Sequence, residues 1–282
     1  MENKSEIKKI VYVPQEQELD VALACYHLQL PLMLRGPTGI GKTTFVYYLA
    51  DVLHKPIIEE LCTEDTLAAD LIGRKLPDGW IDGSATSSLR HKEGSLYYLD
   101  ELGEARPNAM TVIHSLTDDR RVLEVRANKE SLQAPSEWML IASYNPLYQL
   151  QNNVKPSTAQ RFITIDIPFP QSELEEKIVK TVLNESTFDT QDVQVKRNYQ
   201  SKFNIPIKQL VKLASDYRKL AQSAEAVGLR EGPGTRLVVR TAKLIEYGLP
   251  AMMAIQTGMI NPLTYDHDQK EGMIDIAKKL FR

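Results

Sequence analysis

Short apolar runs and helix-period stretches alternate along residues 1–170, and that alternation predicts an α/β domain built on a mostly parallel sheet covered by helices. The apolar runs fall at Leu30–Leu34, Pro56–Leu61, Ser95–Leu99, Trp138–Ser143 and Phe162–Ile167. Between them, apolar positions recur at helical spacing over Glu16–His27, Lys42–Leu53, Thr66–Ile72 and Pro107–Leu116. Pro107 suits the first turn of the last of these, where its missing N–H removes no helical bond. Two stretches interrupt the pattern. Gly73–Gly83, with three glycines, Pro77 and Trp80, predicts an inserted loop or small hairpin, Trp80 either packing it down or meeting a substrate. Arg120–Val125, followed by Asn128 and Lys129, predicts a hairpin ahead of the fourth strand.

Pro168-Phe169-Pro170 ends this pattern, and the chain turns helical over Glu173–Leu183, Pro206–Ala221, Thr235–Tyr247, Pro250–Ile260 and Gln269–Phe281. Residues 184–205 are polar and poorly periodic, which predicts a flexible connection. The expected organisation is therefore an α/β domain over residues 1–170 and a smaller all-helical domain over residues 171–282.

With 43% hydrophobic and 25% charged residues in 282, the composition is that of an ordinary soluble globular chain of about two domains. No stretch approaches the ~18 apolar residues that a membrane span needs, and Met1–Lys9 is too polar for a signal peptide, so a cytoplasmic location is expected. Cys25 and Cys62 lie far apart and form no C-x-x-C pair, so both read as packed, reduced thiols. Lys and Arg against Asp and Glu number 17 against 23 over residues 1–170 and 17 against 14 over residues 171–282, so neither half is a basic body, which argues against nucleic acid as the partner while leaving room for a local patch in the second half.

The chemistry concentrates at the ends of the apolar runs. Gly36-Pro37-Thr38-Gly39-Ile40-Gly41-Lys42-Thr43 follows the first run and opens the next helix, matching G-x-x-x-x-G-K-S/T. Glycines there let successive backbone N–H groups approach a phosphate at a helix start. Lys42 would reach the β- and γ-phosphates, Thr43 would ligate Mg²⁺, and Thr44 completes the cradle of an ATP site. Ser95–Leu99 runs straight into Asp100 and Glu101. The first is placed to hold Mg²⁺ through water, the second to polarise the water that attacks the γ-phosphate. Trp138–Ser143 ends at Tyr144-Asn145-Pro146, where Asn145 either bonds the γ-phosphate or serves as an ordinary turn residue. Arg161 ends a short helical turn before the last strand and is a candidate for neutralising transition-state charge in a neighbouring copy. Arg236, after Glu231-Gly232-Pro233-Gly234-Thr235, either reaches nucleotide from the helical domain or caps its own helix. His114 and Asp118-Asp119-Arg120-Arg121 read as a helix end and solvated charge turn, or as contacts between copies.

Taken in order, Gly36–Thr43, Asp100-Glu101, Asn145, Arg161 and Gly234-Thr235-Arg236 resemble the AAA+ P-loop ATPases. Within them the chain is similar to the MoxR group and its CbbQ/NorQ branch, on the stretches Leu34–Gly39, Ala69–Arg74, Tyr98–Glu101, Ile113–Arg121, Ser143–Pro146 and Lys155–Phe162. Ile40 stands where that branch more often has cysteine, and Leu102-Gly103-Glu104 departs from its usual sequence. The resemblance implies Walker A at Lys42 and Thr43, Walker B at Asp100 and Glu101, sensor 1 at Asn145, a trans-acting finger at Arg161 and sensor 2 at Arg236. It further implies a hexameric ring, a helix-2 insert near Gly73–Gly83 and a pre-sensor hairpin near Arg120–Glu124. Its usual partner is a von Willebrand factor A (VWA) adaptor protein that recruits a client enzyme, with rubisco-activase-like or nitric-oxide-reductase-activating motors as the members in view. The competing expectations are a nucleic-acid motor or clamp loader, a nucleotide-dependent binding module without turnover, and a small-molecule kinase.

Overall fold

The computed structural model describes residues 11–147, 154–185, 205–223 and 229–281. Met1–Lys9 and all but the ends of the expected connection over residues 184–205 lie outside the described residues. The chain divides into two units, one holding residues up to Gly36 and Lys42–Ile167, the other holding Pro37–Gly41 and the chain from Pro168 onward.

In the first unit, α1 (Glu18–His27) leads into β1 (Leu32–Arg35), α2 (Lys42–Leu53) and β2 (Ile57–Leu61). There follow α3 (Ala68–Ile72), β3 (Gly73–Leu76), β4 (Gly79–Asp82), α4 (Ser84–Leu89) and β5 (Leu96–Asp100). The remainder is α5 (Pro107–Ile113), β6 (Val122–Val125), β7 (Glu130–Gln133), β8 (Met139–Tyr144), α6 (Pro156–Ala159) and β9 (Ile163–Asp166). Five strands form one sheet in the order β2-β5-β8-β1-β9, every neighbouring pair parallel. The central strands are apolar on both faces, as a parallel sheet flanked by helices requires: Leu32, Leu34, Leu96, Tyr97, Leu99 and Ile141 are wholly buried. Edge strand β2 carries charge within its length, at Glu59 and Glu60, whereas edge strand β9 and the inner strands β1 and β5 carry it only at their last residues, Asp166, Arg35 and Asp100.

Both interruptions of the pattern are two-stranded antiparallel hairpins, β3–β4 and β6–β7. Trp80 packs its hairpin down against the apolar core, and its Nε1 donates to Asp82 Oδ1 of the same strand at 2.6 Å. Arg90 then ties the hairpins together, with Nη1 2.8 Å from both Asp82 carboxylate oxygens and Nη2 paired with Glu130. Helix α4 has no counterpart in the sequence pattern. Its residues are small and polar, so it shows no apolar stripe, yet Ala85, Thr86 and Ser88 are wholly buried. Hydrogen bonds make that burial tolerable: Thr86 Oγ1 donates to Ile72 O at 2.5 Å, and Ser88 Oγ accepts from Trp138 Nε1 at 3.0 Å. Helix α5 stops at Ile113, short of the expected Leu116, because the chain tightens into turns through Leu116 N–H to Ile113 O at 3.0 Å.

The second unit contains α7 (Ser172–Glu185), α8 (Ile207–Gln222), α9 (Thr235–Glu246), α10 (Ala251–Ile255), a π-helical turn at Gln256–Ile260 and α11 (His267–Leu280). Its apolar centre includes Leu210, Leu213, Tyr217, Val238, Ala242 and Met259. Inside it lies a buried ion pair. The Arg218 guanidinium grips Glu175 through two bonds of 2.7 and 2.8 Å, and Arg218 Nε donates to Pro233 O at 2.8 Å. Thr235 Oγ1 donates to the same carboxylate at 2.8 Å, and the Phe169 ring lies 4.3 Å from the guanidinium carbon. Among the described residues no helix is long and apolar enough to cross a membrane.

Removing one partner of such a pair strands a buried charge, so Glu175→Ala should lower stability by about 3–5 kcal/mol, read as a lower urea midpoint for the helical unit. Replacing Glu175 and Arg218 together by Leu and Met should recover a large part of that loss.

Candidate functional site

The phosphate-loop sequence begins where β1 ends. Gly36 N–H donates to Tyr144 O at 3.3 Å, so the loop starts level with the end of β8. Gly39 and Gly41 have φ of 73° and 106°, the left-handed region that a side chain rarely enters. Lys42, only 5% exposed, begins α2 and donates from Nζ to Gly36 O at 2.8 Å. The first turn of α2 contains no acidic residue and includes Thr43 and Thr44, both half-buried. A buried ammonium beside the amino-terminal end of a 12-residue helix free of acids there fits phosphate groups.

Pro37–Gly41 belong to the second unit. Thr38 N–H donates to Glu231 Oε1 at 2.8 Å, and Gly39 O accepts from Arg236 N–H at 2.9 Å. Gly234 permits this approach, since a Cβ there would lie 2.3 Å from Thr38 O. Ile40 is buried. The Arg236 side chain is exposed.

At the carboxyl ends of β5 and β8, side chains converge on Asp100. Thr43 Oγ1 donates to Asp100 Oδ2 at 3.2 Å, while Tyr98 and Ser143 hydroxyls donate to Oδ1 at 2.7 and 2.6 Å. A threonine hydroxyl and a single carboxylate are hard oxygen donors of the kind Mg²⁺ takes when it keeps several waters, so the residues present fit that ion. Glu101 follows with φ 54° and ψ 46°, a left-handed conformation that costs a side-chain-bearing residue about 1–2 kcal/mol. Its N–H donates to Asp100 Oδ1 at 3.1 Å and Ser143 Oγ at 3.3 Å, and these bonds hold the strained turn. Asn145 is buried just beyond β8, and its Oδ1 accepts from Leu147 N–H at 3.0 Å, the self-bonded turn open to an asparagine before proline.

Arg161 is not brought to this group. It precedes β9, whose first residue Ile163 lies opposite Leu32 at the start of β1, whereas Asp100 ends its strand and Lys42 and Asn145 follow theirs. The two positions are at opposite ends of the sheet. Arg161 is exposed and donates from Nη1 to His114 O at 3.3 Å.

Residues 31–162 match the AAA domain (dynein-related subfamily), and residues 204–280 match the CbbQ/NirQ/NorQ C-terminal family. The chain is 40% identical to Protein NorQ of Paracoccus denitrificans over 275 residues, 96% of this chain and 93% of that one. It is 38% identical to Protein CbbQ of Hydrogenophilus thermoluteolus over 94% of this chain and 92% of the other. The chain belongs to the CbbQ/NirQ/NorQ family of AAA proteins. Denitrification regulatory protein NirQ of Stutzerimonas stutzeri is 36% identical over 94% of this chain and 90% of its own. Two solved structures share the fold. A putative ATPase from Cytophaga hutchinsonii gives a TM-score of 0.52 at 17% identity, covering 96% of this chain and 90% of that one. A Thermotoga maritima RuvB mutant gives 0.53 at 14%, covering 94% and 71%.

In this CbbQ/NirQ/NorQ family member, Tyr98, Ser143 and Glu231 fall in stretches read from the sequence, where none of them was assigned a role. The first two lie two positions before Asp100 and two before Asn145, so strand alternation was the available signal. No local signal marks Glu231. The charge turn at Asp118–Arg121 is only half solvated. Asp118 pairs with Arg120 at 2.7 Å on the surface, but Arg121 donates to Trp138 O at 2.8 Å and Pro135 O at 3.1 Å and lies over the Trp138 ring. Cys25 and Cys62 are buried free thiols, that of Cys62 pushed up to about 12 by burial.

His114 Nε2 lies 3.0 Å from Thr158 Oγ1, and burial, then the charges of Arg161 and Lys155, hold the imidazole below its ordinary value. An unfolded chain binds that proton more readily, so this group's contribution lowers stability as pH falls through the ordinary imidazole range of about 6.5. Arg161→Met should raise the His114 pKa, read by NMR titration of the imidazole. Glu101→Gly, which relieves the left-handed strain, should be more stable than Glu101→Ala by about 1 kcal/mol in urea unfolding.

Proposed function

We propose that the chain is an ATP-hydrolysing motor that remodels a client enzyme, working as a hexameric ring whose sites are each completed by an arginine from the neighbouring copy. The observation that carries this reading is the convergence of Thr43 on Asp100 immediately before a glutamate held in a left-handed turn. Membership of the CbbQ/NirQ/NorQ family supports it.

In this scheme the loop Gly36–Thr44, through its backbone N–H groups from Gly39 onward, and the Lys42 ammonium bind the phosphates of ATP. Thr43 and Asp100 hold Mg²⁺, Asp100 through water; the ion, when bound, neutralises phosphate charge and orients the chain of phosphates. Glu101 takes the proton of the attacking water, and its fixed backbone limits where that carboxylate can point. Asn145, held by its own turn, positions the same water or the γ-phosphate. Arg161 of the adjoining copy supplies transition-state charge stabilisation. Arg236 reads the nucleotide from α9, whose first turn is bonded to Gly39 through the Arg236 N–H. The α/β domain of residues 1–170 and the helical lid of residues 171–282 would change their relation with nucleotide. A VWA adaptor would bring the client, an enzyme of the rubisco or nitric-oxide-reductase kind, in the cytoplasm.

Glu101→Gln should bind ATP with wild-type affinity and release no phosphate above background. Arg161→Ala should keep monomer nucleotide affinity and lose roughly 10³-fold or more in turnover, the range an arginine finger supplies. Equal phosphate release by Arg161→Ala and wild type would remove the shared site from the scheme. Phosphate release and equilibrium nucleotide titration check both.

A further inference from the structure

Tyr98 and Asp100 share one face of β5, because side chains two apart along a strand point the same way. On β8 alongside, Ile141 lies opposite Tyr98 and Ala142 opposite Leu99, so Ser143 comes level with Asp100 on that same face. Tyr98 and Ser143 are both fully buried, where a hydroxyl left unpaired would cost about 1–3 kcal/mol. Each is paired, and both converge on one oxygen.

Asp100 Oδ1 receives three donors: Tyr98 OH at 2.7 Å, Ser143 Oγ at 2.6 Å and Glu101 N–H at 3.1 Å. A carboxylate oxygen so engaged has no lone pair left for a cation or for a cation's water. The other oxygen, Oδ2, faces Thr43 Oγ1 at 3.2 Å. The Tyr98 hydroxyl is 3.4 Å from the same Thr43 Oγ1 and 3.1 Å from Ser143 Oγ, so it touches side chains from all three elements.

We propose that Tyr98 and Ser143 are positioning residues for metal binding: they occupy Asp100 Oδ1 and so aim Oδ2 at the Thr43 side, where Mg²⁺ would be held. Ser143 has a further part. It lies two residues before Asn145 and accepts from the Glu101 N–H, so the end of β8 and the Asp100-Glu101 turn are held in one relation. Neither residue reaches reacting atoms; both act through Asp100. The assignment rests on the Mg-ATP reading above and adds to it two residues that no phosphate-loop motif contains.

The test is a thermodynamic cycle on the full chain carrying Glu101→Gln, which prevents turnover. The ATP dissociation constant is measured with Mg²⁺ and again in EDTA, and the ratio gives the gain in affinity due to metal. Tyr98→Phe keeps the ring and removes only the donor. It should cut that gain by about tenfold, within the 10–100-fold typical of groups that orient a metal ligand, and leave the EDTA value unchanged. Ser143→Ala should do the same, and the double variant should lose less than the product of the two, since both act on one oxygen. Loss of affinity in EDTA by the same factor would mean a merely structural role and would overturn the proposal. So would an undiminished metal gain in both single variants. If the chain with Tyr98 and Ser143 intact gains nothing from Mg²⁺, or binds no ATP, the Mg-ATP reading itself fails, an outcome distinct from failure of the two variants alone.

Discussion

The Asp100 carboxylate is the point on which the candidate site depends. It sits at the end of a strand whose Leu96–Leu99 are wholly buried, and it bonds residues from α2, from β5 itself and from β8. Parallel strands place their carboxyl ends at one edge of the sheet, where ligands of open α/β sheets bind. One charge at that edge is therefore reached by three otherwise separate segments. Hydrogen bonds to a charged group contribute roughly 1.5–3 kcal/mol each, more than the roughly 1–2 kcal/mol that the left-handed Glu101 costs. The strained turn is thus held by the acid that precedes it, and the position of Glu101 follows from the bonding of Asp100.

The second unit solves a related problem with a different device. Glu175 and Arg218 are buried together, and their remaining bonds go to Pro233 O and Thr235 Oγ1, the flanks of Gly234. Gly232 lies against Arg218, where a Cβ would come within 2.6 Å of Arg218 Cα. The segment Glu231–Arg236 is fixed on both sides of its glycine, and the same segment bonds Thr38 and Gly39. A buried ion pair is weak evidence for stability, since desolvation offsets much of the Coulomb gain. Here its geometric consequence is plain: it sets the path of the chain that meets the phosphate loop.

The five sheet strands were legible in the sequence to within two residues at each end, because buried parallel strands must be apolar on both faces and short. β1 starts at Leu32 rather than Leu30, just past Pro31, which has no N–H for the ladder. Helix α4 was illegible for the converse reason: Ser84–Leu89 is buried by hydrogen-bonded small side chains, and no apolar period announces that. The phosphate loop and the Asp100-Glu101 pair were readable because their chemistry is contiguous in sequence. Tyr98, Ser143 and Glu231 were not, since each acquires its role from a partner at least two residues and as many as 193 away. Arg121 shows the same limit, for a charge beside three other charges looks solvated until Trp138 is seen beneath it.

The position of Arg161 follows from register. Leu32 pairs with Ile163 and Arg35 with Asp166, so β9 runs alongside β1 in the same direction. A residue preceding β9 must lie near where β1 begins, while a residue following β1 lies where it ends. Four residues of strand separate these edges by on the order of 13 Å, before the loops on either side are added. An arginine side chain reaches about half that distance, and this one is directed to His114 O. The cation that the proposed chemistry requires can then come from Arg161 only if a second copy presents it. A contact that joins one edge of a sheet to the opposite edge of the next copy is head-to-tail, and head-to-tail contacts either close into a ring or grow into a filament. The ring of the proposed scheme is the closed form of such a contact.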